Sequence, residues 1–214
     1  MANLNGSFGL RPLSKLGGGT NSTGLTGFTP YEIASDNTDK IYHGQLVIPL
    51  ASGYIDHTAN AAGGTVSHLG VFQGCQYVSS VTGKPTWSNY WPGSGADSDF
   101  PVKAFINDDP SQLYVIATDA SWTDEATARA SVFLNASLST GITGTDATGL
   151  SLGRLAISTL ATTNSLTLRV MGWVDDSDNQ DFASAGIGAI VRINNPFNAP
   201  TGSIAAGTVS TTGV

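Results

Sequence analysis

Gly149, Leu150, Ser151, Leu152 and Gly153 spell G-x-S-x-G, the pattern of a nucleophile elbow in which a strained turn presents a serine to a histidine and an acid. That chemistry needs a buried strand before Ser151, a helix after it, and both triad partners further along the chain. All three histidines, His43, His57 and His68, lie upstream, and residues 145–149 lack strand character. The pentad therefore predicts a glycine-rich turn. The histidines are spaced by 14 and 11 residues, without the close pairing that lets two imidazoles share a metal, which predicts surface or loop histidines. Asp56 and His57, adjacent on a strand, are expected to point to opposite faces. Cys75 is the one cysteine; with no downstream histidine to activate it, it reads as a small apolar core residue. The acid-rich run from Asp175 to Asp181 offers oxygen ligands but lacks the glycine and the late glutamate of a calcium loop, so a solvated turn is expected. Neither G-x-x-x-x-G-K-[ST] nor G-x-G-x-x-G after a strand occurs. The chain is thus expected not to be an enzyme, with no cofactor and no metal.

Adhesive chemistry remains. Trp87, Tyr90 and Trp91 crowd one short segment, and such rings bury large rigid area at low entropic cost while keeping one polar atom wet. They suit a protein interface, a sugar platform or core packing. A second apolar cluster, Phe8, Leu10, Arg11 and Leu13, stands inside a leader rich in Gly, Asn, Ser and Thr. Residues 1–27 read as an extended arm carrying an anchor; fully stretched, they would span about 90 Å, well beyond a globule with a radius of gyration of roughly 15 Å.

Composition supports this frame. Charged residues are 12% of the 214, against a usual share of about 25%, and 14 of the 16 acids are aspartates, leaving only Glu32 and Glu125. Aspartate favours turns and caps, so the acids belong in loops of a strand-and-turn protein. Nine scattered basic residues under a net charge of −7 offer no cationic stripe for a phosphate backbone, which argues against nucleic acid. No apolar run approaches the roughly 18 residues that would cross a bilayer, and the first residues lack a secretory signal, so a soluble chain made in a cytoplasm is expected, with no membrane partner.

From Phe28 onward, short β-type runs alternate with turn residues. Alternation places Phe100, Val102, Ala104 and Ile106 on one face, residues 113–117 read as fully buried, and residues 166–174 and 189–193 are the firmest strands. Residues 69–72 and 76–79 read as separate strands. Helical grammar occurs only over residues 121–130, with Ser121 or Thr123 as the cap. The fold class is mainly β: an antiparallel β-barrel or jelly-roll-like sandwich with one short helix, an N-terminal arm (1–27), a globular domain (28–199) and a flexible C-terminal tail (200–214).

The order of landmarks resembles a family of tailed-phage head proteins encoded beside the major capsid gene. The pieces are Asn5-Gly6-Ser7-Phe8-Gly9-Leu10-Arg11-Pro12, Tyr31-Glu32-Ile33-Ala34, His43-Gly44-Gln45-Leu46-Val47, Leu69-Gly70-Val71-Phe72-Gln73-Gly74-Cys75-Gln76-Tyr77, Asn89-Tyr90-Trp91, Asp108-Asp109-Pro110 and Val191-Arg192-Ile193-Asn194. The resemblance implies a decoration, or cement, protein: a homotrimer on the outer surface of the virion capsid, bound to the major capsid protein where capsomers meet. Phe8, Leu10, Arg11 and Leu13 would then anchor the capsid or a neighbour, and Trp87, Tyr90 and Trp91 would face a protein. The competing expectation is a carbohydrate-binding or adhesin module using the same aromatics.

Overall fold

A computed structural model describes residues 3, 6–16, 27–57, 67–139 and 143–199. In chain order the strands are β1 (Arg11–Lys15), β2 (Thr29–Ile33), β3 (Leu46–Pro49), β4 (Ile55–His57), β5 (Gly70–Val78), β6 (Pro85–Ser88), β7 (Val102–Asn107), β8 (Gln112–Ala117), β9 (Asn135–Ala136), β10 (Leu138–Ser139), β11 (Gly144–Thr145), β12 (Leu150–Ser151), β13 (Arg154–Leu155), β14 (Leu168–Trp173) and β15 (Gly188–Ile193), with helix α1 (Glu125–Ala130) between β8 and β9. The protein is mainly β, and among the described residues every pairing between two named strands is antiparallel. Among the described residues no helix is long and apolar enough to cross a membrane.

Two sheets carry the fold. The first runs β2-β7-β5-β3-β4, and β5 is long enough to share one edge between β3 at its start and β6 at its end. This sheet curls until β4 approaches β2, wrapping a core of Ile33, Ile41, Val47, Ile55, Phe72, Cys75, Trp91, Val102, Ala104 and Ile106. The second sheet runs β1-β8-β15-β14-β9 and packs Tyr114, Ile116, Leu168, Val170, Ala189 and Val191 against Trp122, Ala128 and Leu155. Period-2 alternation ties the two together, since Leu46 and Val71 enter this second core while their neighbours Val47 and Phe72 enter the first.

Several expectations need correction. The two runs 69–72 and 76–79 merge into the single strand β5 (Gly70–Val78), which a β-bulge between Phe72 and Gly74 interrupts. The bulge breaks the alternation that a continuous strand would show. Phe100 precedes β7 and is exposed, whereas Val102, Ala104 and Ile106 are buried. Strand β8 is buried on one face only, because nothing covers Leu113 and Val115 completely on the other. The cap of α1 is Asp124, whose Oδ1 accepts from Thr127 N at 2.7 Å; Thr123 has a φ of 69° and turns the chain just before it.

The N-terminal arm is also corrected where it is described. Strand β1 pairs with β8 along the edge of the second sheet, and Leu10, 1% exposed, fills the core beneath it. Leu10 N donates to Gly44 O at 2.8 Å. Gly9 makes this approach possible: at φ 67°, a Cβ there would stand 2.6 Å from Gly44 O. Lys15 pairs with Asp109 at 2.7 Å, and the Asn3 amide donates to Asp181 O at 2.8 Å. Residues 6–16 therefore belong to the globule, because β8 would otherwise present an unpaired edge. Residues 1, 2, 4, 5 and 17–26 of the expected arm and the expected tail, 200–214, lie outside the described residues.

His68 is not a surface histidine. It is 1% exposed, where its backbone bonds to Asn195 and Phe197, and neither ring nitrogen has a hydrogen-bond partner among the described residues. Burial disfavours the charged imidazole and pushes its pKa down to about 4. Between the unfolded value near 6.5 and about 4, the unfolded chain binds a proton that the folded chain refuses. Stability is therefore complete above pH 6.5 and falls as the pH drops through this window, by about 3 kcal/mol in all. Urea unfolding at pH 7.5 and 5, with His68→Leu as control, checks this: the variant loses that part of the pH dependence.

Candidate interaction surface

The accessible chemistry of the first sheet lies on its outer face, where β6, β5 and β7 run side by side. Trp87 of β6 lies opposite Gln76, and Phe105 of β7 lies opposite Gly74. Two strand spacings normally keep such rings apart. Gly74 carries no side chain, so the rings meet across β5 at 5.1 Å between centroids and 15° between planes. Gly74 sits at φ 140°, and a Cβ there would press on Ser88 O at 3.0 Å. Phe28, exposed just before β2, closes the far side of a groove of about 510 Å³ that Gln73, Ser88 and Asn89 also line. Trp87 is 67% exposed, and Gln73 Nε2 is buried without a partner among the described residues. The groove thus offers flat apolar area bordered by the polar residues Gln73, Ser88 and Asn89.

The seven residues singled out in the sequence separate. Trp87 stands in the groove. Trp91 does not: it is fully buried, edge-on to Tyr77 at 5.5 Å, with Nε1 donating to Asn37 O at 3.2 Å, so its interface role is corrected. A backbone bridge to Ile41 turns it inward. Tyr90 is half-buried in a stack on Tyr42, whose hydroxyl donates to Asp146 Oδ1 at 2.7 Å. Leu10 is core and cannot anchor a partner. Phe8 is half-buried beneath the Arg11 guanidinium, 4.6 Å from its ring, while Arg11 and Leu13 stay exposed on β1. Sequence reasoning missed Phe28, Phe105 and Gln73. The signal for Phe105 was present, since a face made of Val102, Ala104 and Ile106 leaves it pointing outward.

The groups considered for catalysis or metal binding are held in local structure. Ser151 is buried, and its Oγ accepts from Gly153 N at 3.1 Å. Cys75 is buried in the first core, and burial pushes its thiol up to about 12. Asp175, Asp176 and Asp178 are exposed in the turn between β14 and β15, where Asp176 caps a short 3-10 turn, Ser177–Asn179.

Asp56 and His57 depart from expectation: His57 Nδ1 bonds to Asp56 Oδ1 at 3.0 Å, and their ligand atoms lie within 4.8 Å of Asp39's. The carboxylate folds back over its own strand to accept from His57 N at 2.7 Å, and Asn37 adds a third donor at 3.2 Å. Those three hydrogen bonds engage Asp56 Oδ1. Burial opposes ionisation of Asp56, but the bonds from His57 and Asn37 outweigh it and hold its carboxyl below the usual range. The bond to Asp56 raises His57 in turn. An NMR titration of wild type and Asp56→Asn is expected to show the His57 midpoint above 6.5 only with the carboxylate present.

Fold and groove together define a mainly antiparallel β protein with an open aromatic surface on its first sheet. Compared with protein-family models, curated proteins and solved structures, the chain has no significant match.

Proposed function

We propose that this chain is a structural virion protein that decorates the outer surface of a tailed-phage capsid and stabilises the junctions between capsomers, with the major capsid protein as its partner. The sequence landmarks supply the resemblance, and the single structural observation that carries the reading is the open groove of Phe28, Trp87 and Phe105. Exposed aromatic anchors on a rigid support are the residues that dominate protein interfaces. A ligand that binds joined capsomers better than separated ones shifts the balance toward the joined shell by its differential affinity, and no reaction is needed. The test uses heads prepared without the chain. Added protein is expected to bind at a fixed stoichiometry and to raise the temperature at which the heads rupture. Absence of saturable binding overturns the proposal.

The same groove favours a second reading, since an indole beside the polar side chains Gln73, Ser88 and Asn89 also suits the apolar face of a sugar ring. Binding on a glycan array that Trp87→Ala abolishes, together with no binding to heads, would select a carbohydrate-binding module instead.

A further inference from the structure

The hairpin of β14 and β15 carries an unneutralised pair of cations. On the face of the second sheet turned away from its core, Arg169 and Arg192 lie directly opposite each other and are both half-buried, with Leu113, Val115 and Ile190 around them. Like charges directly across a ladder destabilise it. Burial, and then the neighbouring Arg169, hold the Arg192 guanidinium below its usual value. Arg169 Nε donates to Asn135 Oδ1 at 3.1 Å, but Arg192 Nε is buried with no partner among the described residues. Among the described residues the ion pairs of Lys15, Lys40 and Arg129 lie elsewhere, and no carboxylate pairs with either arginine.

The opposite end of the same hairpin is acidic. Asp175, Asp176 and Asp178 are exposed in its turn, and none forms an ion pair among the described residues. Six residue steps, roughly 20 Å of extended chain, separate Arg169 from Asp175, so the two ends of one hairpin do not meet.

We propose that the Arg169–Arg192 pair receives the acidic hairpin turn, residues 175–178, of a second copy of this chain in a head-to-tail contact. A carboxylate between the two guanidiniums replaces repulsion with charge-assisted hydrogen bonds. Leu113, Val115 and Ile190 supply apolar area beside it. The contact is heterologous, so it propagates to a ring or a filament instead of closing as a two-fold dimer. It goes beyond the capsid reading and does not depend on it.

Sedimentation equilibrium of the full chain tests this. Self-association is expected, weakening by about tenfold or more as salt rises from about 50 to about 500 mM. Arg169→Glu/Arg192→Glu and Asp175→Lys/Asp178→Lys are each expected to be folded monomers by circular dichroism, and an equimolar mixture of the two is expected to associate, because each supplies the charge the other lost. Should a double variant fail to fold, Arg192→Gln and Asp178→Asn replace it, each weakening association. Wild type that stays monomeric, or arginine variants that associate as wild type does, overturns the proposal. Trp87→Ala keeps self-association while losing heads, so failure of this contact and failure of the capsid reading give different results.

Discussion

Trp91→Ala is expected to lower the unfolding free energy by about 3–5 kcal/mol, while Trp87→Ala, in the same segment, costs about 1 kcal/mol. Trp91 is fully enclosed by the first core, and its indole N–H is committed to Asn37 O. Truncation leaves a cavity that the two curled edges of the sheet cannot close, and it orphans a carbonyl. Trp87 forfeits one stacking contact with Phe105 and little enclosed surface. Urea unfolding of both variants checks the stability difference. Head binding checks the reverse order: Trp87→Ala is expected to weaken it by about 2 kcal/mol, the cost of losing a central aromatic anchor.

The second large effect falls on the N-terminal segment. Leu10→Ala is expected to destabilise by about 2–5 kcal/mol, and Leu13→Ala by no more than about 0.5 kcal/mol. Leu10 is 1% exposed between β3 and the second sheet; Leu13 is 42% exposed on the outer strand. Removing residues 1–16 strips β1 from β8 as well, leaving an open, partly apolar edge. A truncated chain is therefore expected to unfold at lower urea and to aggregate more than wild type. Equal urea midpoints for the truncated and intact chains would refute the placement of β1. Had the segment been a free arm, both leucines would tolerate alanine equally.

That contrast marks where local sequence stops being informative. Strands β7, β14 and β15 were legible because one buried face imposes strict alternation over several residues. Strand β1 was not, since its pairing partner β8 lies about a hundred residues away and the intervening glycines suggest an arm. The bulge at Gly74 hid the continuity of β5 and, with it, the groove, because only the register across β6, β5 and β7 shows that Trp87 and Phe105 meet over a missing side chain. The aromatic cluster was visible as composition. Which of its rings faces water depended on the bridge between Ile41 and Trp91, a contact that composition does not encode. Likewise, the buried imidazole of His68 follows from a long-range bridge to Pro196.

The central claim is that the chain works through adhesive area on the outer face of its first sheet. A binding isotherm on heads lacking the chain, wild type against Trp87→Ala with Phe133→Ala as control, since Phe133 is 70% exposed and lies outside the groove, tests it most directly. The account predicts saturable wild-type binding, about thirtyfold weaker for Trp87→Ala and unchanged for Phe133→Ala. Equal affinity for all three proteins, or no binding by wild type, would contradict it.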